Sequence, residues 1–124
     1  MGYSKTHYKS INPYTEEVVH EVKMHTDEEA RIIVEKSHAA YVGGWRDTSY
    51  GERARLLNAV AKEMKANLDY YELPMTQEMG KPIKESRGEA TKAAWACEHY
   101  AQFGEKYLAT EYLDSDASES YVQY

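Results

Sequence analysis

The stretch Thr76-Gln77-Glu78-Met79-Gly80-Lys81-Pro82-Ile83-Lys84-Glu85-Ser86-Arg87-Gly88-Glu89 stops one helix and starts the next almost at once. Gly80 stands where a C-terminal cap needs left-handed backbone, and Pro82 where a first-turn residue has no amide hydrogen to lose. From Pro82 to Leu108 nothing interrupts the helical pattern. Small or apolar residues recur at Ile83, Ala90, Ala94, Cys97, Ala101 and Leu108, with a second row at Ala93, Ala96, Tyr100 and Phe103. Lys84, Glu85, Lys92, Glu98, Gln102 and Glu105 fill the other side. A face so rich in small residues admits a neighbouring backbone closely. A helix of this length spans roughly 40 Å, about the diameter of a compact chain of this size. It is therefore expected to belong to something larger.

Upstream of that stretch the pattern gives three further helices and a hairpin. Ser49-Tyr50-Gly51-Glu52 is a capping box, and Leu56, Leu57, Val60, Ala61 and Met64 follow it at helical spacing. Asn67 is placed to cap another helix running to Met79, which Pro74 interrupts past its first turn. Thr26-Asp27-Glu28-Glu29 is a second capping box, opening a helix expected to bury Ala30, Ile33, Val34, Ser37 and Tyr41 and to stop at Gly43-Gly44. Before it, Ser10 to Glu17 supplies turn chemistry, and Val18, His20, Val22 and Met24 alternate with Val19, Glu21 and Lys23. That alternation predicts a hairpin with one half-buried face. Met1 to Lys9 reads as an extended or frayed arm. Downstream, Glu111 to Ser120 is acidic and turn-like, and Glu119 to Tyr124 begins a strand with no partner strand expected in reach.

The chain has 124 residues and 42% hydrophobic residues, and a mean hydropathy of -0.79, a thin supply for a self-sufficient core. Twelve tyrosines against one phenylalanine sharpen the point, because each buried hydroxyl needs a partner. With 15 basic and 21 acidic side chains the net charge is -6. No basic cluster is dense enough for nucleic acid, and no apolar run is long enough to span a bilayer. One cysteine makes no internal disulfide, which favours a cytoplasmic location.

Catalytic motifs are lacking. The seven glycines nowhere form G-x-G-x-x-G, and Gly80-Lys81 fails as a phosphate loop because Met75 replaces the leading glycine and Pro82 the hydroxyl residue. Cys97 and His99, two apart on a helix, point to different sides and make no nucleophile-base pair. His7, His20, His25, His38 and His99 show no metal-ligand spacing. Glu85 and Glu89 share a face and read as a solvated face, or as partners for Lys81, Lys84 and Arg87, rather than as a catalytic dyad. No residue is assigned to a catalytic, cofactor-binding or metal site.

Four segments in order carry a resemblance along nearly the whole chain. They are Ser10-Ile11-Asn12-Pro13-Tyr14-Thr15-Glu16-Glu17-Val18; Trp45-Arg46 followed by Glu52-Arg53-Ala54-Arg55-Leu56-Leu57; Glu78-Met79-Gly80-Lys81-Pro82 with Glu85-Ser86-Arg87-Gly88-Glu89; and Lys92 to Ala101. The chain resembles the N-terminal part of the aldehyde dehydrogenase superfamily, and more closely its succinate-semialdehyde dehydrogenase branch. It departs from the family at Gly43-Gly44, at Pro74 and at Ala90, where a valine is usual. The resemblance implies an α/β parent fold, of which residues 1–124 form an incomplete N-terminal segment: a β-hairpin, about four helices and a terminal strand leading into an oligomer-forming arm. It also implies NAD or NADP as the parent's cofactor, with a thiohemiacetal, a hydride transfer and a thioester hydrolysis. None of those chemical roles falls on a residue of this chain. The expectation is an inactive piece of a dehydrogenase that binds no cofactor alone. The alternative is a non-catalytic interaction module. Either way the expected partner is a second copy or a full-length subunit, and neither nucleic acid nor membrane.

Overall fold

A computed structural model describes residues 6–124. Strand β1 (His7–Ile11) pairs antiparallel with β2 (Val18–Lys23), and helix α1 (Asp27–Val42) follows. A 3-10 turn (Trp45–Asp47) leads to α2 (Tyr50–Ala66), α3 (Leu68–Met79) and α4 (Ile83–Tyr107). The chain closes with β3 (Glu111–Tyr112) and β4 (Tyr121–Val122), which pair with each other. The helix-rich architecture with an N-terminal hairpin agrees with the sequence reading, and Ile83–Tyr107 matches the long helix within a residue at each end.

The local signals explain most element ends. Thr26 Oγ1 accepts from the Glu29 amide at 3.2 Å while the Thr26 amide donates to Glu29 Oε2 at 2.8 Å. Ser49 and Glu52 make the same reciprocal pair. Gly80 ends α3 with φ 71° and ψ 19°, its amide donating to the Thr76 carbonyl. Pro82 stands just outside α4 as its N-cap, where a missing amide hydrogen costs nothing. Asn67 departs from expectation. It caps nothing on α3; its Nδ2 donates back to the carbonyl and side chain of Glu63, completing the end of α2 instead.

The hairpin begins earlier than expected: of the arm read as extended or frayed, His7 to Lys9 are extended and already paired in β1, and Met1 to Lys5 fall outside the described residues. Asn12 Oδ1 accepts from the amides of Tyr14 and Thr15 to build the turn, and Glu16 takes a left-handed backbone, φ 62°. Ser10 faces His20 and Ile11 faces Val18, so Val19 is an extra residue in the ladder. The predicted half-buried face is not formed, because no helix packs along β2. Val18, Val22 and Met24 are exposed, and Val19 is the part-covered residue.

The core sits between α2 and α4, which form the principal helix pairing. Among the described residues its buried apolar side chains are Ala61, Ala90 and Ala94. The small-residue face of α4 is thus real but narrower than predicted: Cys97 and Ala101 are half-buried, whereas Ile83, Tyr100 and Leu108 are exposed. Helix α1 departs furthest. It packs against the Trp45–Asp47 turn and has no comparable packing on another helix, so Ala30, Ile33, Val34, Ser37 and Tyr41 are all exposed. An amphipathic face is legible in sequence, but whether a partner element covers it is not. The last expectation to fail concerns the terminal strand: β4 does find a partner, in β3, with the Leu113 amide donating to the Ser120 carbonyl at 2.8 Å.

Candidate functional site

Helices α3 and α4 meet through polar groups. Asp69, Glu72 and Thr76 fall on one stripe of α3, at helical spacing, and face the first turns of α4. Arg87 Nε donates to Glu72 Oε2 at 2.5 Å, and its Nη2 donates to Glu72 Oε1 at 2.8 Å and to Asp69 Oδ1 at 2.5 Å. One turn along, Thr76 Oγ1 and Ser86 Oγ share a hydrogen bond of 2.9 Å. Glu72 and Ser86 are the buried polar residues among those described. The Arg87 hydrogen bonds hold the Glu72 carboxyl below the ordinary glutamate value of 4.5, against the opposing effect of burial, and the same pairing raises Arg87. Both groups are kept charged and both carboxylate oxygens are occupied. The arrangement is a joint rather than an acid-base pair.

Beside it lies an open hollow of about 520 Å³ lined by Lys65, Asn67, Asp69, Tyr70 and Arg87. Its two cations are already committed, Lys65 to Glu98 at 2.6 Å and Arg87 to Glu72 and Asp69. Sequence reasoning assigned Arg87 to the glutamates of its own helix and missed this junction; the acidic pair three apart on α3, followed four residues later by Thr76, was the available signal. The expected partnership of Glu89 with Lys81 is present. A second joint fastens the turn before α2. Arg53 lies over the Trp45 ring at 5.3 Å, and its Nη2 donates to the carbonyls of Trp45 and Arg46.

The residues weighed for chemistry in the sequence do not converge. Cys97 is a half-buried free thiol. His99 bonds Tyr107 Oη through Nε2 at 2.8 Å and lies among the rings of Trp95, Tyr100, Phe103 and Tyr107. His20 sits 3.9 Å from Glu78. Among the described residues no group of three or more His, Cys, Asp or Glu is placed to hold a metal ion, and no helix is long and apolar enough to cross a membrane.

Comparison with known proteins gives these elements a setting. The model of the "Aldehyde dehydrogenase family" matches residues 2–124. The chain belongs to the aldehyde dehydrogenase family. It is 36% identical over 118 residues to succinate-semialdehyde dehydrogenase [NADP(+)] 1 of Mycobacterium tuberculosis, a match covering 93% of this chain and 26% of that protein. A probable succinate-semialdehyde dehydrogenase [NADP(+)] of Synechocystis is 30% identical over 115 residues. The fold is likewise that of aldehyde dehydrogenases. Succinic semialdehyde dehydrogenase of Streptococcus pyogenes, solved in complex with NADP+, superposes with a TM-score of 0.81 at 32% identity, over 92% of this chain and 25% of that one. Betaine aldehyde dehydrogenase of Staphylococcus aureus gives a TM-score of 0.78 at 25% identity. The chain thus spans about a quarter of the length of the aldehyde dehydrogenases it matches.

Proposed function

We propose that this chain is the N-terminal segment of a cytoplasmic, NADP-dependent succinate-semialdehyde dehydrogenase, contributing scaffold rather than chemistry to the oxidation of an aldehyde to a carboxylic acid. The observation that carries this reading is the match, over nearly the whole chain, to relatives named for that activity. NADP is favoured over NAD because those names specify it. The segment does not hold the cofactor itself. Its glycines form no phosphate-binding loop, and the cations of the hollow beside the α3-α4 junction are already neutralised by carboxylates. Cys97, half-buried on a helix with His99 engaged by Tyr107, has no base to activate it.

A second reading is favoured by one feature, the bare apolar face of α1, on which Ile33, Val34 and Tyr41 are exposed. Such a face suits an interaction module that docks on a full-length dehydrogenase subunit. One experiment separates the two. The purified chain is mixed with the M. tuberculosis relative shortened by its matching quarter, and NADP+ reduction by succinic semialdehyde is followed. Recovery of turnover on mixing, with none from the chain alone, supports the segment. Binding to the intact relative without recovery of the shortened one supports the module. Turnover by the chain alone that is lost in Cys97→Ala overturns both.

A further inference from the structure

Helix α3 is poorly equipped to hold itself in place. It buries no apolar residue, since its one buried side chain is Glu72. Pro74 lies in its interior, where it removes the amide that would bond the Tyr70 carbonyl. Asn67 serves the end of α2 and leaves the first amides of α3 without a side-chain cap. Each of these weakens a helix that is only 12 residues long. Leu68, Tyr71, Pro74 and Met75 are only part-covered, and the specific contacts that fasten α3 are polar and come from two consecutive residues of α4: the forked pair of Arg87 with Glu72 and Asp69, and the Ser86 hydrogen bond to Thr76. By contrast α2 lies against α4 through the alanine-lined contact that forms the core.

The hairpin depends on α3 in turn. Its principal packing on the helices is β1 against α3, and Pro13 comes so close to Gly80 that a β-carbon there would meet Pro13 Cγ at 3.0 Å. His20 of β2 approaches Glu78 near the same end. The position of the N-terminal strands is therefore set by α3, and that of α3 by Arg87.

We propose that α3 and the β1-β2 hairpin form one separable flap, latched onto the α2-α4 pair by Arg87 and able to open while that pair stays intact. The two ends of α3 supply the bends. Asn67 has non-helical backbone, φ -126° and ψ 40°, and Gly80 is left-handed. Removing Arg87 leaves Glu72 buried without its cation, a state the flap relieves by opening, because Glu72 then returns to water.

Amide hydrogen exchange of the whole chain, read by mass spectrometry, tests this. In the unmodified chain the amides of α3 and β2 are expected to exchange together and at least about tenfold faster than those around Ala61 and Ala94. Arg87→Gln is expected to speed α3 and the hairpin by a further tenfold or so while leaving α2 and the middle of α4 unchanged. Arg87→Lys, which keeps the charge and loses the fork, falls between. Exchange of α3 in step with α2 and α4 in the unmodified chain overturns the proposal, as does an Arg87→Gln effect spread evenly over all three helices. Because the first comparison needs no variant, a chain that fails to fold without Arg87 does not shield the idea.

Discussion

Gly80 carries two demands in one residue. Its left-handed backbone disfavours any side chain, and Pro13 occupies the space a β-carbon would enter. Gly80→Ala is therefore expected to destabilise the chain by roughly 1–2 kcal/mol, seen as a lower urea midpoint. Glu72 gives a pH signature. Its folded value lies below 4.5 because Arg87 hydrogen-bonds the carboxylate, so the stability it contributes is fully present above the unfolded value. That stability is lost as pH falls through 4.5 toward the folded value. The urea midpoint should stay flat in neutral and mildly acidic solution and drop below pH 4.5, and Glu72→Gln should remove part of the drop. At this scale the sequence signals are uneven. Caps are local, so Thr26, Ser49 and Gly80 disclosed themselves through neighbours a few residues away. The Arg87–Glu72 pair joins positions on different helices, and nothing near Arg87 in the chain distinguishes Glu72 from the closer glutamates at 85 and 89.

Helix α3 carries a proline that its hydrogen-bond ladder does not favour. Pro74 sits inside it and removes a helix hydrogen bond, so Pro74→Ala is expected to raise both helicity by circular dichroism and the melting temperature, by an amount bounded by the ~3 kcal/mol proline costs in a helix interior. No change in either would mean that the break is part of the resting geometry. Element existence and order were legible because apolar periodicity and punctuation by Gly43, Asn67 and Gly80 are sequence-local. What covers each element was not. Both α1 and β2 carry the right pattern and remain largely bare, because neither has a helix packed along it. The β3-β4 pairing was missed because β3 has only two residues, too few to show alternation, inside a stretch that reads as an acidic turn.

At the level of the whole chain, buried apolar area is small and exposed apolar area is large. Ile33, Val34, Trp95, Tyr100, Tyr112 and Tyr121 all face solvent. Alone in solution the chain should bind ANS, melt broadly and associate as its concentration rises. A monomer at high micromolar concentration with a sharp two-state melt and no ANS signal would show that this core suffices by itself.

The buried contact between α2 and α4 inverts the usual relation between side-chain size and mutational sensitivity. In most domains the largest interior residues are the ones a scan cannot touch, because deleting them leaves a void. Here the interior positions hold alanine at 61, 90 and 94, so there is almost nothing to delete and everything to overfill. Ala94→Leu should cost about 1–3 kcal/mol by wedging the helices apart, while Val34→Ser, on the bare face of α1, should change the stability of the isolated chain by no more than about 0.5 kcal/mol. A saturation scan of this chain would therefore find its most restricted positions among its smallest residues, and its exposed aliphatic and aromatic ones free to vary until a partner arrives to cover them.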